Sequence, residues 1–477
     1  MNSNLMKHAL ALTVSGMLVG CDSSGEVTRV QDSAPQPNIL LIYVDDIGFA
    51  DMGFQNISQD VITPNMDKIA ADGAVFSSGY VTGSVCGPSR AGLVTGRYQQ
   101  RYGYVDNIGP FILEKDIEQG LDLSAKTFGN FFQDAGYTTG FIGKSHDGED
   151  QKYWPHNRGF DYYFGFNNGA ADYFVTGRNL ENAKKHAYSS IYRNDELVED
   201  FDGYLTDVFA DEAVNFIERH KEEPFFLYVP FNASHGPMQA KQEDLAKFSH
   251  VEDELRRKFL AMTYNMDMNI GKMIDKLEQH GLAEDTMIVF MSDNGGDPRD
   301  NGSFNTPLRG TKRELWDGGI RVPFSITWKG KIPAGQVIDE PTIALDITPT
   351  MLAVAQIELS KDQHVQLEGI NLLPRLMGEQ EQLDDRFLYW LTPQQAAIRD
   401  KEWKLIMPNL NNGSDEMELY YIKQDISELT DVADQYPEQV VRLRKAYDEW
   451  NESNLPSQWG WDRSTYKYDN NWRNISH

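Results

Sequence analysis

The feature that most constrains this chain is a strand-sized apolar run that recurs and each time ends in ionisable or polar residues. Ile39-Leu40-Leu41-Ile42-Tyr43-Val44 runs into Asp45-Asp46. Thr138 to Ile142 leads to Lys144 and His146, Phe225 to Phe231 to His235, and Met287 to Met291 to Asp293-Asn294. Apolar runs of this length read as strands buried on both faces, as in a parallel sheet. Helix-period segments lie between them. Pro64 to Asp72 has Thr63 as its N-cap and Gly73 as its stop; the others are Ser124 to Ala135, about 204–220, about 252–279 and Asp346 to Ala355. Ala74 to Val81 and Phe324 to Trp328 read as further strands. The alternation predicts an α/β fold, a large mixed and mostly parallel sheet sandwiched by helices. Ligands bind beyond the carboxyl ends of such strands, so the four polar endings are expected to share one cleft.

After about residue 366 the pattern changes. Arg386 to Leu391, Ala396 to Ile398, Trp403 to Met407 and Glu418 to Tyr421 are short runs separated by turns, and Pro437 to Trp450 reads as an amphipathic helix. A smaller C-terminal subdomain, an antiparallel sheet plus helix, is therefore expected over 366–477, after a catalytic domain over 38–365. The terminal stretch carries Trp450, Trp459, Trp461 and Trp472, which suit clamping a tail onto the core more than stacking on sugars.

The N-terminus carries a different signal. Lys7 and His8 precede the apolar stretch Ala9 to Val19, too short to span a bilayer, which ends in Leu18-Val19-Gly20-Cys21. This resembles a lipoprotein signal peptide over 1–20, with Cys21 the lipidated first residue of the mature protein and 21–37 a tether. The expected location is the bacterial cell envelope, anchored by lipid to a periplasm-facing membrane or the cell surface. No run is long enough for an integral membrane span. The net charge of −28 excludes a nucleic-acid partner, which needs a basic footprint. Two cysteines, Cys21 and Cys86, cannot build a disulfide framework. Cys86 is thus a lone thiol in an exported chain, either buried and inert or chemically changed.

Asp45, Asp46, Asp293 and Asn294 form one set of oxygen donors at two strand ends. Three carboxylates converging in a low-dielectric site repel one another, and a hard divalent ion removes that repulsion. All-oxygen ligation suits Ca²⁺ or Mg²⁺ rather than zinc.

Cys86-Gly87-Pro88-Ser89-Arg90 matches Cys-x-Pro-x-Arg, and Ala91-Gly92-Leu93-Val94-Thr95-Gly96-Arg97 continues the match. Further matching segments are Val44 to Gly48, Gly143-Lys144-Ser145-His146, Ser234-His235-Gly236-Pro237, Ser292 to Gly295 and Pro307 to Lys312; Trp403-Lys404-Leu405 and Glu418 to Tyr421 match in the C-terminal part. In order along roughly 38–450, the chain resembles the type I, formylglycine-dependent sulfatases of the alkaline phosphatase-like superfamily. The resemblance implies a sulfate-ester hydrolase in which a maturing (formylglycine-generating) enzyme oxidises Cys86 to 3-oxoalanine, that is, formylglycine. A thiolate suits neither Ca²⁺ ligation nor release of sulfate. An aldehyde hydrate suits both, because one hydroxyl attacks sulfur and the other drives elimination.

The same resemblance implies residue roles. Asp45, Asp46, Asp293, Asn294 and modified Cys86 would hold the metal, calcium in preference to magnesium. Arg90 would steady the hydrate, and Lys144 and Lys312 would clamp sulfate oxygens. His235, sharing the task with Lys312, would protonate the leaving alcohol, and His146 would be the base, an assignment that can be exchanged. Three departures bear on the pocket: Ser145 where relatives have Trp, Ser234 where Pro is usual, and Asp317-Gly318-Gly319 where Glu-Gly-Gly is common. Alternatives are a phosphonate or phosphate ester hydrolase of the same superfamily, and a non-catalytic binder of sulfated glycans. A sulfated oligo- or polysaccharide is the expected substrate. The negative charge favours a short one, and Arg178, Arg299, His156 and Arg158 are candidate sugar contacts, though loop-holding roles suit most of them better.

Overall fold

Along the first apolar run side chains alternate between the two faces of the strand, and both faces are buried. Ile39, Leu41 and Tyr43 join one apolar core, while Leu40, Ile42 and Val44 join another. This central position follows from a strand with no polar face to offer water. The computed structural model describes residues 36–108, 118–174, 190–199, 201–364, 366–410 and 413–459. The signal and tether through residue 35 with Cys21, and also Arg178, Trp461 and Trp472, lie outside the described residues.

The main sheet contains β1 (Asn38–Val44), β2 (Ala74–Phe76), β4 (Thr138–Lys144), β5 (Tyr162–Phe166), β6 (Tyr192–Arg193), β7 (Glu196–Leu197), β8 (Phe225–Pro230), β9 (Thr286–Ser292), β10 (Phe324–Trp328) and β11 (Gln336–Ile338). Their order is β11-β2-β10-β9-β1-β8-β4-β5-β6-β7. The central run β9-β1-β8-β4-β5 is parallel, while β10 is antiparallel to its neighbours β9 and β2. The mixed, mostly parallel sheet is therefore as expected. The principal helices are α1 (Pro64–Ala71), α2 (Cys86–Thr95), α3 (Phe128–Asp134), α4 (Leu205–His220), α5 (Glu254–Gln279), α6 (Ile347–Val354) and α7 (Pro437–Asn451). Buried residues of α4 and α5, such as Phe209, Phe216, Phe259 and Ile270, join the core of Leu40 and Ile42, whereas Leu93 of α2, Phe128 and Phe132 of α3 and Met351 of α6 join that of Ile39 and Leu41.

The expected strand over 74–81 is two strands. Ser77 and Ser78 interrupt it, and β3 (Gly79–Tyr80) pairs instead with β12 (Thr342–Ile343) in a separate two-stranded sheet. The expected helix from Ser124 begins only at Phe128, because Thr127 forms a capping box with Asn130. Strand β5 follows Gly159 at positive φ and was not expected. The C-terminal sheet, β13 (Leu388–Leu391), β14 (Ala396–Arg399), β15 (Trp403–Met407) and β16 (Glu418–Tyr421), is antiparallel as expected. Its Trp390, Ile398, Leu405 and Tyr420 share the core of Ile39 and Leu41, together with Leu443 and Trp450 of α7. Trp450 stacks on Tyr389 at 4.8 Å.

Candidate active site

The four polar endings belong to the four adjacent strands β9, β1, β8 and β4, and the register brings them level. Val44 pairs with Ser292, so Asp45-Asp46 lie beside Asp293-Asn294. The Asp293 N–H donates to Val44 O at 2.9 Å, Asp45 N–H to Ala233 O at 3.0 Å and Ser234 N–H to Asp45 O at 2.9 Å. Opposite these ends, α2 begins at Cys86, whose side chain is 1% exposed. Cys86 Sγ is 3.4 Å from Asp45 Oδ1 and 3.9 Å from Asp46 Oδ1, and Lys312 Nζ donates to it at 3.2 Å. Position 86 thus has the field of a helix N-terminus together with a buried ammonium, both favourable to negative charge.

Three cations are interleaved with the three carboxylates. Arg90, one helical turn after Cys86, donates from Nε and Nη2 to Asp293 Oδ2 at 3.0 and 2.8 Å, and its Nη2 is 3.3 Å from Asp45 Oδ2. Lys144 Nζ meets Asp45 Oδ2 at 2.5 Å, and Lys312 Nζ meets Asp46 Oδ1 at 2.5 Å. Arg90 therefore fastens the carboxylates and β4, through Lys144 O at 3.0 Å, rather than reaching Cys86 by a hydrogen bond. Burial pushes the Asp46 carboxyl up, but Lys312 and His235 outweigh it and hold it well below the ordinary range. Burial and the neighbouring Asp293 push Asp45 the other way. Lys312 is held protonated despite burial by Asp46, Cys86 and Asp45.

Because these six charges balance, repulsion alone does not demand a metal. The donor chemistry does fit one. Asn294 Nδ2 is committed to Asp46 Oδ1 at 2.7 Å, whereas its Oδ1 is buried without a hydrogen-bond partner among the described residues. Such an orphaned carbonyl oxygen beside carboxylates suits a hard cation. Ligand atoms of Asp45, Asp46, Cys86 and His235 lie within 4.8 Å of one another. His235 was not among the expected ligands. Its Nδ1 faces Gly236 O at 2.7 Å and so carries the proton, which leaves Nε2, 3.7 Å from Asp46 Oδ2, facing the carboxylates. Burial, with Lys312 and Lys144, lowers the basicity of His235; burial, with Lys144 and Arg90, lowers that of His146 further.

Asp46 and His146 both have left-handed backbones, φ 59° and 69°. For non-glycine residues each conformation costs about 1–3 kcal/mol, and such strain concentrates at working sites. Supporting residues that the sequence did not point to hold the Asp46 turn and the loop that carries His235. Asn301 Nδ2 donates to Asp46 O at 2.9 Å and to Ser234 O at 3.3 Å. Tyr173 OH donates to Asn232 O at 2.6 Å and to His235 O at 2.9 Å. In sequence Asn301 is one more turn residue in a loop and Tyr173 one more core aromatic, so nothing distinguished them.

The three departures are all buried and bonded to neighbouring side chains. Ser145 Oγ bonds Asp147 Oδ2 at 3.2 Å and Ser234 Oγ bonds Thr263 Oγ1 at 2.8 Å, both buried. Asp317 is wholly buried, its carboxylate held by Lys404 at 2.6 Å, Tyr80 at 2.7 Å and Arg321 at 3.3 Å. Of the candidate sugar contacts, Arg158 is buried and donates to the carbonyls of Leu121, Asp122 and Ala125. His156 pairs with Asp195, and Arg299, 80% exposed, pairs with Asp297.

The sulfatase family model matches residues 37–357. A second, described as N-sulphoglucosamine sulphohydrolase, C-terminal, matches 310–451. The N-acetylgalactosamine-6-sulfatase of Canis lupus familiaris is 32% identical over 379 residues, 75% of this chain and 69% of its own. A protein of Escherichia coli K12 named uncharacterized sulfatase YdeN is 29% identical over 408 residues, 75% of this chain and 69% of its own. The solved structure of Ps i-CgsB in complex with k-i-k-neocarrahexaose is similar with a TM-score of 0.83 at 34% identity, covering 92% of this chain and 97% of that one. A match this long, running through a cleft so arranged, leaves one conclusion: the chain belongs to the sulfatase family and is a sulfuric ester hydrolase.

Proposed function

We propose that this enzyme removes sulfate from a sulfated saccharide, with formylglycine derived from Cys86 as nucleophile and calcium held by Asp45, Asp46, Asp293 and Asn294. The observation that carries the reading is the placement of Cys86 Sγ 3.4 Å from Asp45 and 3.2 Å from Lys312, at the first turn of a buried helix. When present, the hydrated aldehyde supplies a nucleophilic oxygen and the cation polarises it and a sulfate oxygen.

The chain's own residues supply the rest. Lys144 and Lys312 bind sulfate oxygens, and their burial strengthens that attraction relative to water. Arg90 keeps Asp293 and Asp45 aimed inward through its fork of donors. Lys312, held protonated, supplies the proton that the leaving oxygen takes, while His235, with its own proton turned to Gly236 O, presents a bare Nε2 to the site. His146, deprived of charge by burial, takes a proton from the nucleophile side. The saccharide assignment draws on relatives whose names specify an N-acetylgalactosamine-6-sulfatase and a complex with a neocarrahexaose. Lipidation at Cys21, and with it envelope anchoring, belongs to the same proposal and is tested by acyl labelling of the Cys21→Ser variant.

The experiment co-expresses the chain with a maturing enzyme and weighs the peptide bearing residue 86. Free sulfate is then measured from neocarra-oligosaccharides, N-acetylgalactosamine-6-sulfate and 4-nitrophenyl sulfate. Sulfate release only from material carrying the aldehyde is expected. Full activity from protein with an intact thiol would end the reading.

A further inference from the structure

The loop after α2 is tied to both sides of the site. Tyr104, fully buried, donates from its hydroxyl to His146 O at 2.8 Å. Three residues later Asn107 Oδ1 accepts the N–H of Gly87, the residue after Cys86, at 2.8 Å. The same phenol lies against the start of α2. A Cβ at Gly87 would stand 2.8 Å from the Tyr104 hydroxyl and 2.9 Å from Asn107 Oδ1, so only glycine leaves room for both. One loop therefore grips the left-handed turn of His146 and the first peptide after the nucleophile position.

That loop is itself strapped down from the far end of the chain. Leu455 N–H donates to Gln100 O at 3.0 Å and Gln458 N–H to Gly103 O at 3.1 Å. Trp459 then meets the Tyr104 ring edge-on at 4.8 Å and donates from Nε1 to Asp106 O at 2.9 Å. Across the His146 ring, a Cβ at Gly169 would approach its Cε1 to 3.2 Å, so the ring is confined on that side too.

We infer that Tyr104 is a positioning residue that fixes His146 relative to residue 86, and that Trp459 of the C-terminal strap holds Tyr104 in place. The inference rests on the proposed roles of His146 and residue 86. His146 sits at φ 69°, a conformation that needs external support. The hydroxyl supplies that support from a donor that burial keeps protonated. Displacement of a reacting group by about 1 Å can cost about a hundredfold in rate without altering how the substrate is bound.

The test measures kcat and KM on 4-nitrophenyl sulfate, with aldehyde content by mass spectrometry and thermal unfolding for each variant. Tyr104→Phe, which removes only the donor oxygen, is expected to lower kcat between about tenfold and a hundredfold while KM stays within about threefold. Gly87→Ala alone is expected to show a similar loss, and much less than that again when added to Tyr104→Phe. Trp459→Ala should share the kcat loss, and Trp459→Phe, which keeps the ring contact, should recover most of it. Wild-type kcat in Tyr104→Phe, fully additive losses, or a fall that tracks only the unfolded or unconverted fraction would each overturn the inference. An inactive wild type carrying the aldehyde would instead overturn the proposed function, and the inference with it.

Discussion

Lys312 Nζ lies 3.2 Å from the Cys86 sulfur and 2.5 Å from Asp46 Oδ1, so one buried ammonium joins the nucleophile position to the carboxylate beside it. The side chain is only 5% exposed, and water therefore does little to screen it. In this place the lysine both balances Asp46 and faces the anion that the enzyme acts upon.

Removing that ammonium has two consequences. Lys312→Met is expected to lower kcat/KM on 4-nitrophenyl sulfate by about a hundredfold to a thousandfold, the usual loss for one donor to developing negative charge. It also leaves Asp46 buried without its partner, at a cost of about 3–5 kcal/mol. Steady-state kinetics and chemical denaturation check the pair, and near-normal turnover would remove Lys312 from the site.

The orphaned oxygen of Asn294 gives a calcium prediction that needs no activity assay. A ligand held at a hundredfold excess over its Kd stabilises the folded state by about 2.7 kcal/mol. Calorimetry with CaCl2 and after chelation should show a higher thermal midpoint with calcium for the wild type. Asn294→Ala should lose most of that difference. An equal calcium shift in both proteins would place the ion elsewhere.

A pH effect is expected far from the chemistry. Asp267 Oδ1 and Oδ2 accept the N–H groups of Met66 and Asn65 at the start of α1, yet burial holds the Asp267 carboxyl up at about 6, against 3.8 ordinarily. The folded state thus keeps this proton to higher pH than the unfolded chain does. Stability falls as pH rises from about 4 to about 6, and above that the full penalty is about 3 kcal/mol. Asp267→Asn should flatten that part of the wild-type stability curve, measured by urea unfolding across the range. A variant curve running parallel to the wild type would contradict the assignment.

Lys404 tests whether position 317 is structural. Its ammonium bridges Asp317 at 2.6 Å and Glu428 at 2.8 Å, all wholly buried, and burial and Asp317 raise Glu428 to about 7. Lys404→Met should destabilise the protein by about 3–5 kcal/mol. The KM of the remaining folded enzyme should not change. A changed KM with unchanged stability would move this cluster into the substrate pocket.

The sheet was legible because apolar runs with no polar face can only be central strands, and β10, β15 and β16 were read to the residue. Element ends were less legible: Thr127 capped a helix four residues later than its apolar period suggested, and Ser77-Ser78 divided a strand whose pattern ran on. The expectation that unbalanced carboxylates require an ion met three cations instead, because charges distant in sequence, Arg90, Lys144 and Lys312, cancel only once folded.

By itself the sequence determined which groups end the central strands and which residue opens the helix facing them, since period and local motif are properties of neighbouring residues. Only the tertiary structure decided that Asp317 is a core anion, that Arg90 grips Asp293, and that Tyr104 reaches His146. Those relations join residues from 42 to 203 positions apart, or bury a charge among distant partners, and the chain must close on itself before any of them exists.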